Sequence, residues 1–237
     1  ATTGTCVQTS AKGTITVNPD ATISLSSLAS TTTQSICEGT LLTPITYAIA
    51  DGGTGATVAG LPNGVTGNYN GGTFTISGTP TETGPFTYTV TTTGTCAQES
   101  LGGTITVNPN AAILLSSAVG TDDQLFCEGT ALTTISYAIT GGGTGATVSG
   151  LPSGVIGNYS GGTFTINGTP TATGTFNYTV TTTGTCAQVA AIGSIVIKKE
   201  VTIGTQPQNV GVCINNSASL SVIAFGVPAA ALAMLND

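Results

Sequence analysis

The residues best equipped for covalent chemistry in this chain are six cysteines, five of which recur with a fixed period. Cys6, Cys96 and Cys186 form one series, 90 residues apart, and Cys37 and Cys127 form a second with the same spacing. Thiols that meet in an oxidising compartment form disulfides, and regular pairs of this kind imply a location outside the cytoplasm. Two connectivities fit the spacing. Cys37–Cys96 with Cys127–Cys186 would close each repeat on itself, whereas Cys6–Cys37 with Cys96–Cys127 would cross from one repeat to the next. A repeat that folds on its own favours the first, although spacing alone does not settle connectivity. Cys6 and Cys213 would then take partners beyond this stretch of chain. A loop closed over 59 residues would stabilise each repeat by about 4 kcal/mol in the chain-entropy model. It would also act as a mechanical clip. Tension would cross the bridge, and the bypassed residues would not pay out the roughly 200 Å they span at about 3.4 Å each.

Other chemistry finds little support. There is no Cys-x-x-Cys and no His, so a tetrahedral metal site cannot be completed. Without His or Arg, neither neutral-pH proton transfer nor anion clamping has its usual residue. Glu38 and Glu128 are the only acids at matching positions, each in Cys-Glu-Gly-Thr, where a turn or backbone role is expected. A glycosidase pair would need a second repeated acid. Asp122-Asp123 replaces Thr32-Thr33 of the other repeat, which argues against a repeated calcium site. No catalytic, metal or cofactor-binding residue is therefore assigned, and no cofactor is expected. Isopeptide staples need a buried Lys, and no Lys lies between the cysteines of either repeat. Gln98 and Gln188 leave a Thr–Gln ester conceivable. Thr87, Thr89, Thr91 and Thr93 alternate, as do Thr179, Thr181 and Thr183. Such rows suit a solvent-facing strand, and a flat row could also match ice or a sugar surface. Asn158, Asn167, Asn177 and Asn215 open glycosylation triplets, but the first repeat lacks the counterparts of the first three.

The elements that position these residues follow from the same periodicity. From Cys37 to Gln98 and from Cys127 to Gln188, 49 of 62 positions are identical without a gap. A 90-residue period exceeds the roughly 20–50 residues of solenoid units, so whole domains repeat. Asn18-Pro19-Asp20 and Asn108-Pro109-Asn110 mark short, semi-rigid joints, and Lys198-Lys199-Glu200 takes their place in the next copy. Full repeats are expected at 20–109 and 110–199. Residues 1–19 match the tail of a preceding repeat, and 200–237 read as the start of a further domain. The apolar stretch Leu220–Leu235 is broken by Gly226 and Pro228 and is read as part of that domain rather than as a membrane helix. The chain reads as a piece of a longer secreted polypeptide.

Strand signals are dense. Thr22–Leu25, Ile45–Ile49, Thr73–Ile76, Pro85–Val90 and Gly103–Val107 alternate, and Asn70-Gly71-Gly72 is a hairpin turn sequence. Phe74, Ile76, Phe86, Tyr88 and Val90 are the expected core, and Gly64 and Gly78 suit turns of positive φ. About seven short strands per 90 residues, with no capped helical period, describe an all-β sandwich. Charged residues make up only 5% and the net charge is −7, which excludes nucleic acid and anionic membrane surfaces as partners.

Leu61-Pro62-Asn63-Gly64-Val65, Gly72–Pro80 and Gly84–Val90, repeated at Leu151–Val155 and Thr163–Val180, resemble the immunoglobulin-like tandem repeats of bacterial surface proteins. With Cys-Glu-Gly-Thr in front and Gly-Thr-Cys behind, the units are similar to those of giant Bacteroidota adhesins exported by the type IX system. Residues from Thr205 resemble the first strands of a different immunoglobulin-like domain. The resemblance implies surface display and adhesion, and it brings no catalytic residues. The expected function is a stalk of tandem immunoglobulin-like sandwiches in a secreted or surface-anchored adhesin, with a gliding role in view. Its partners would be neighbouring repeats and cells or polysaccharide at a surface. Self-association into a filament or sheath through strand edges, and polysaccharide binding by the repeats themselves, are the alternative expectations.

Overall fold

The computed structural model describes Cys6 and residues 10–225. Most of Leu220–Leu235, and most of the segment before Ser10, lie outside the described residues. The chain divides into two compact units, the first ending at Pro109 and the second beginning at Asn110. Apart from one 3-10 turn, the regular elements among the described residues are all strands. None of those residues forms a helix long and apolar enough to cross a membrane.

In the first unit β1 (Ala21–Leu25), β3 (Ile45–Asp51), β6 (Thr73–Gly78) and β5 (Val65–Asn70) form one sheet in that order. β2 (Thr33–Cys37), β8 (Ser100–Asn108), β7 (Gly84–Gly94) and β4 (Gly53–Ala59) form the other. Every pairing is antiparallel except β2 with β8. Strand alternation supplies the core between the sheets. Ile45, Tyr47, Ile76, Tyr88, Val90 and Ile105 are at most 1% exposed. Phe74 is buried with them, and Phe86 packs against the cluster from its margin.

There are eight strands rather than seven because the opening segment changes sheets. The 3-10 turn Ala29–Thr32 carries the chain across, its Thr31 hydroxyl donating to Leu28 O at 2.7 Å. Gln34 then stands in for a backbone partner. Its Nε2 donates to Thr31 O and Thr43 O, and its Oε1 accepts the Thr43 N–H. The hairpin at Asn70 forms as expected, with Gly71 and Gly72 at φ of 54° and 83°, the geometry of a type I′ turn.

The second unit repeats the plan. β9 (Ala111–Leu115), β10 (Asp123–Cys127), β11 (Ile135–Gly141), β12 (Gly143–Ser149), β13 (Val155–Ser160), β14 (Thr163–Gly168), β15 (Gly174–Gly184) and β16 (Ala190–Lys198) follow in chain order. The sheets run β13-β14-β11-β9 and β10-β16-β15-β12. Beyond them β17 (Thr202–Thr205) and β18 (Ile223–Phe225) form a separate antiparallel pair.

Candidate functional site

Each sandwich has two poles, and the two cysteines that flank its strands, Cys37 and Cys96 in the first and Cys127 and Cys186 in the second, occupy opposite ones. The chain enters the first unit beside the β7–β8 turn. Asp20 Oδ1 accepts the Ala97 N–H at 3.1 Å, and Ala21 N–H donates to Ala97 O at 3.0 Å. The Cys96 thiol in that turn donates to Asn18 O at 3.5 Å. Thr92, 1% exposed, pins the turn from beneath, its hydroxyl donating to Gln98 Oε1 at 2.9 Å and accepting the Glu99 N–H at 3.0 Å. The chain leaves at the far end of β8, where Cys37 is the Cα partner of Asn108. There the Cys-Glu-Gly-Thr motif is a turn. Thr40 N–H donates to Cys37 O, Glu38 N–H to Asn108 O, and Gly39 N–H to Pro80 O. Glu38 and Glu128 thus hold turn positions through their backbone.

The second unit copies this arrangement. Asn110 Oδ1 accepts the Ala187 N–H at 3.2 Å at the entry pole, next to Cys186. Cys127 pairs with Lys198 at the exit pole, where Glu128 N–H donates to Lys198 O.

This geometry corrects the expected disulfides. Cys37 lies beside the last residue of β8, and Cys96 precedes its first. A nine-residue strand at about 3.3 Å per residue separates them by on the order of 25 Å. A disulfide needs Cα atoms roughly 4.4–6.8 Å apart. Cys127 and Cys186 are separated in the same way by β16. Cys37 and Cys186 are each disulfide-bonded, whereas Cys96 and Cys127 carry free thiols. Neither Cys37–Cys96 nor Cys127–Cys186 forms, and the free thiols also exclude the alternative Cys96–Cys127 bond. The clip within each unit falls with them. Cys6 and Cys213 are both exposed, and the Cys213 thiol is free.

What joins the two sheets inside each unit is a pair of tyrosines. Tyr47 on β3 and Tyr88 on β7 meet with their hydroxyls 3.0 Å apart. Tyr137 on β11 and Tyr178 on β15 repeat the contact at 2.9 Å. In the second unit the Tyr178 hydroxyl also donates to Asp122 O at 3.2 Å. All four rings are at most 2% exposed. Gly103 leaves room for the bridge, since a Cβ there would sit 2.7 Å from the Tyr88 hydroxyl and 2.0 Å from Thr32 O. Burial, reinforced by the hydrogen bond from its partner, holds Tyr88 well above the usual tyrosine range, and Tyr178 likewise. Burial also raises Tyr137. Sequence reading placed Tyr88 in the core but missed the bridge. The available signal was two inward-pointing tyrosines at a constant separation in both repeats.

The threonine rows lie on the face opposite Tyr88 and Val90. Thr87, Thr89 and Thr93 are exposed, and the Thr91 hydroxyl meets Ser100 Oγ at 2.8 Å. Among the described residues no three His, Cys, Asp or Glu side chains gather as a metal site.

Comparison with known proteins agrees with this fold. No family model matches the chain. The "Serine-rich adhesin for platelets" of Staphylococcus aureus strain MRSA252 is 33% identical over 146 residues, covering 60% of this chain and 10% of that protein. The same adhesin in strain USA300 matches at 33% over 60% of this chain and 6% of its own length. The chain thus spans a tenth or less of these relatives. Among solved structures, an I-band fragment of titin superposes with a TM-score of 0.56 at 12% identity, covering 83% of this chain and 73% of that one. The eight N-terminal immunoglobulin domains of Down Syndrome Cell Adhesion Molecule give 0.53 at 14%, covering 82% and 27%. At such identities the likeness shows the fold. The chain is a tandem of immunoglobulin-like β-sandwiches.

Proposed function

We propose that the chain is a run of structural repeats in a long secreted or surface-anchored bacterial adhesin, a rod that holds a binding end away from the cell. The observation that carries this reading is the parallel pairing of β2 with β8, and of β10 with β16, in units whose chain enters at one pole and leaves at the other. Pulling on the ends of such a unit draws the two parallel strands past one another. The ladder bonds then share the load instead of opening in turn. A module built this way suits a tether. The sequence likeness to a staphylococcal platelet adhesin supports the adhesive setting. In this reading the protein is not an enzyme, lies outside the cell, and meets cells or surface polysaccharide through parts other than these units. Export by a type IX system and a role in gliding rest on the cysteine-flanked motifs alone.

A filament reading has one specific observation behind it. On the outward face of β10-β16-β15-β12, Leu125 and Ile192 are 66% and 75% exposed, where the first unit has Ser35 and Gly102. Electron microscopy of the purified chain, with a glycan array in parallel, tests the proposal. Isolated rods without glycan binding are expected. Ordered bundles or tubes would replace the stalk with the filament, and glycan binding by these two units would replace it with a polysaccharide-binding module.

A further inference from the structure

We propose that the outer edge of β9, in the second unit, docks against the same edge of a second copy of the chain, the two strands pairing antiparallel about a two-fold axis. The first unit shows what normally closes this edge. There β1, the outermost strand of its sheet, is flanked by three carboxylates. Asp20 Oδ1 accepts the Ala97 N–H at 3.1 Å, Asp51 Oδ2 accepts the Thr22 hydroxyl at 2.7 Å, and Glu99 Oε2 accepts the Ile23 N–H at 3.1 Å. The last bond occupies a donor that a further strand would need, and charge along an edge repels one. At the matching positions the second unit has Asn110, Gly141 and Val189. The backbone there is the same. Val189 N–H donates to the Thr182 hydroxyl at 3.0 Å, as Glu99 N–H does to Thr92, and Gly141 keeps the positive φ of Asp51. Only the carboxylates are gone.

What their loss uncovers is self-complementary. Ile113 faces Ile139 in the register of β9 on β11, and the Ile139 N–H donates to Gly162 O on the far side of β11. The pair is therefore of the non-hydrogen-bonded kind, and the Ile113 N–H and C=O both point away from β11 toward the open edge. None of the described residues accepts that N–H. A residue that offers donor and acceptor on one edge is matched by itself, reversed, in a second copy, where the two Ile113 exchange both bonds. β9 carries no charge to oppose the approach. Exposed Leu114 and Val189 stand where the first unit has Ser24 and Glu99, which favours an uncharged, apolar edge as the occupant. Such a contact closes at two chains, and it stands whichever function the array serves. Five residues of strand make a small interface, so pairing is weak, with a Kd on the order of 0.1 mM.

The test is sedimentation equilibrium of the full 237-residue chain, its accessible thiols blocked with N-ethylmaleimide, from about 10 µM to about 1 mM. Dimers are expected at the upper end. The Ile113 amide should exchange more slowly there than at the lower end, and the Ile23 amide should exchange alike at both. Val189→Glu installs the residue that the first unit already holds at this position. It should weaken dimerisation by about tenfold or more while far-UV circular dichroism stays unchanged. Joint replacement Leu125→Ser and Ile192→Thr, on the other sheet, should leave the dimer intact. A chain monomeric to the top of the range would overturn the proposal. So would dimers unchanged by Val189→Glu, or dimers lost with the Leu125 and Ile192 replacements. At the far lower concentrations used for electron microscopy the copies stay separate, so this contact and the stalk reading are tested apart.

Discussion

Replacing Tyr47 by Phe removes one oxygen from a site that water does not reach. Tyr47 and Tyr88 are 1% and 0% exposed, and in the first unit their hydroxyls have each other as hydrogen-bond partner, 3.0 Å apart. Tyr47→Phe leaves the Tyr88 hydroxyl buried and unsatisfied, at a cost of about 1–3 kcal/mol. Tyr88→Phe does the same to Tyr47. The double variant removes both groups together and loses only the net worth of the bond, about 1 kcal/mol. The two single costs together should therefore exceed the double cost by on the order of 1–5 kcal/mol. The second unit is an internal control. There Tyr137→Phe leaves Tyr178 with Asp122 O still in reach at 3.2 Å, so its cost should be smaller, about 0.5–1.5 kcal/mol.

Native-state amide exchange in β3 and β7, and separately in β11 and β15, reads the stability of each unit within one chain. A cost of about 2 kcal/mol appears as roughly thirty-fold faster exchange of the most protected amides, since about 1.4 kcal/mol is a factor of ten. Strictly additive single variants would refute the view that a desolvated hydroxyl pair ties the two sheets together. So would equal costs in the two units.

Alkaline pH should act on the same bridge. The folded state holds Tyr88, Tyr137 and Tyr178 protonated above the ordinary tyrosine range, so their contribution is fully present below about pH 10. It falls as pH rises beyond that, by up to about 1.4 kcal/mol per pH unit for each tyrosine. Urea midpoints measured from pH 9 to pH 11.5 should decline above 10, and a flat profile would contradict the assignment. Thr92→Val keeps the shape of the side chain but strips the Glu99 N–H of its acceptor. A loss of about 1–3 kcal/mol and faster exchange of the Glu99 amide are expected, against no change if the β7–β8 turn is held by its backbone alone. Gly103→Ala would press a methyl against Thr32 O and the Tyr88 hydroxyl. Overpacking of that kind should cost about 1–3 kcal/mol, readable as a lower thermal midpoint.

The strands that alternate strongly were legible in the sequence. Phe86, Tyr88 and Val90 announce one face of β7, and the Asn70-Gly71-Gly72 turn fixes the register of β5 against β6. Gly64 and Gly78 take the positive φ their turns require. β4 was not legible, because glycine stands where a side chain would collide. A Cβ on Gly53 would lie 2.6 Å from Ile49 Cγ2, and one on Gly55 2.9 Å from Thr93 Oγ1. Close packing erased the pattern that packing usually writes. β2 is short and half-buried, and it joins the second sheet only because the turn at Ala29–Thr32 turns it away from β1. That change of sheet is why the cysteine pairing was misread. Spacing along the chain says that each repeat owns two cysteines. Whether they meet depends on which end of β8 each adjoins, and that is set by the parallel pairing of β2.

The tyrosine bridge and the polar cysteines answer different demands. Antibody domains tie their sheets with a disulfide between the second and sixth of their seven strands. Here the strands in those roles, β3 and β7, carry Tyr47 and Tyr88, so each sandwich closes without a covalent bond. Cysteine is thereby left for the poles of each sandwich, where the Cys96 thiol donates to Asn18 O beside the entering chain and Cys37 closes β2 against the last residue of β8.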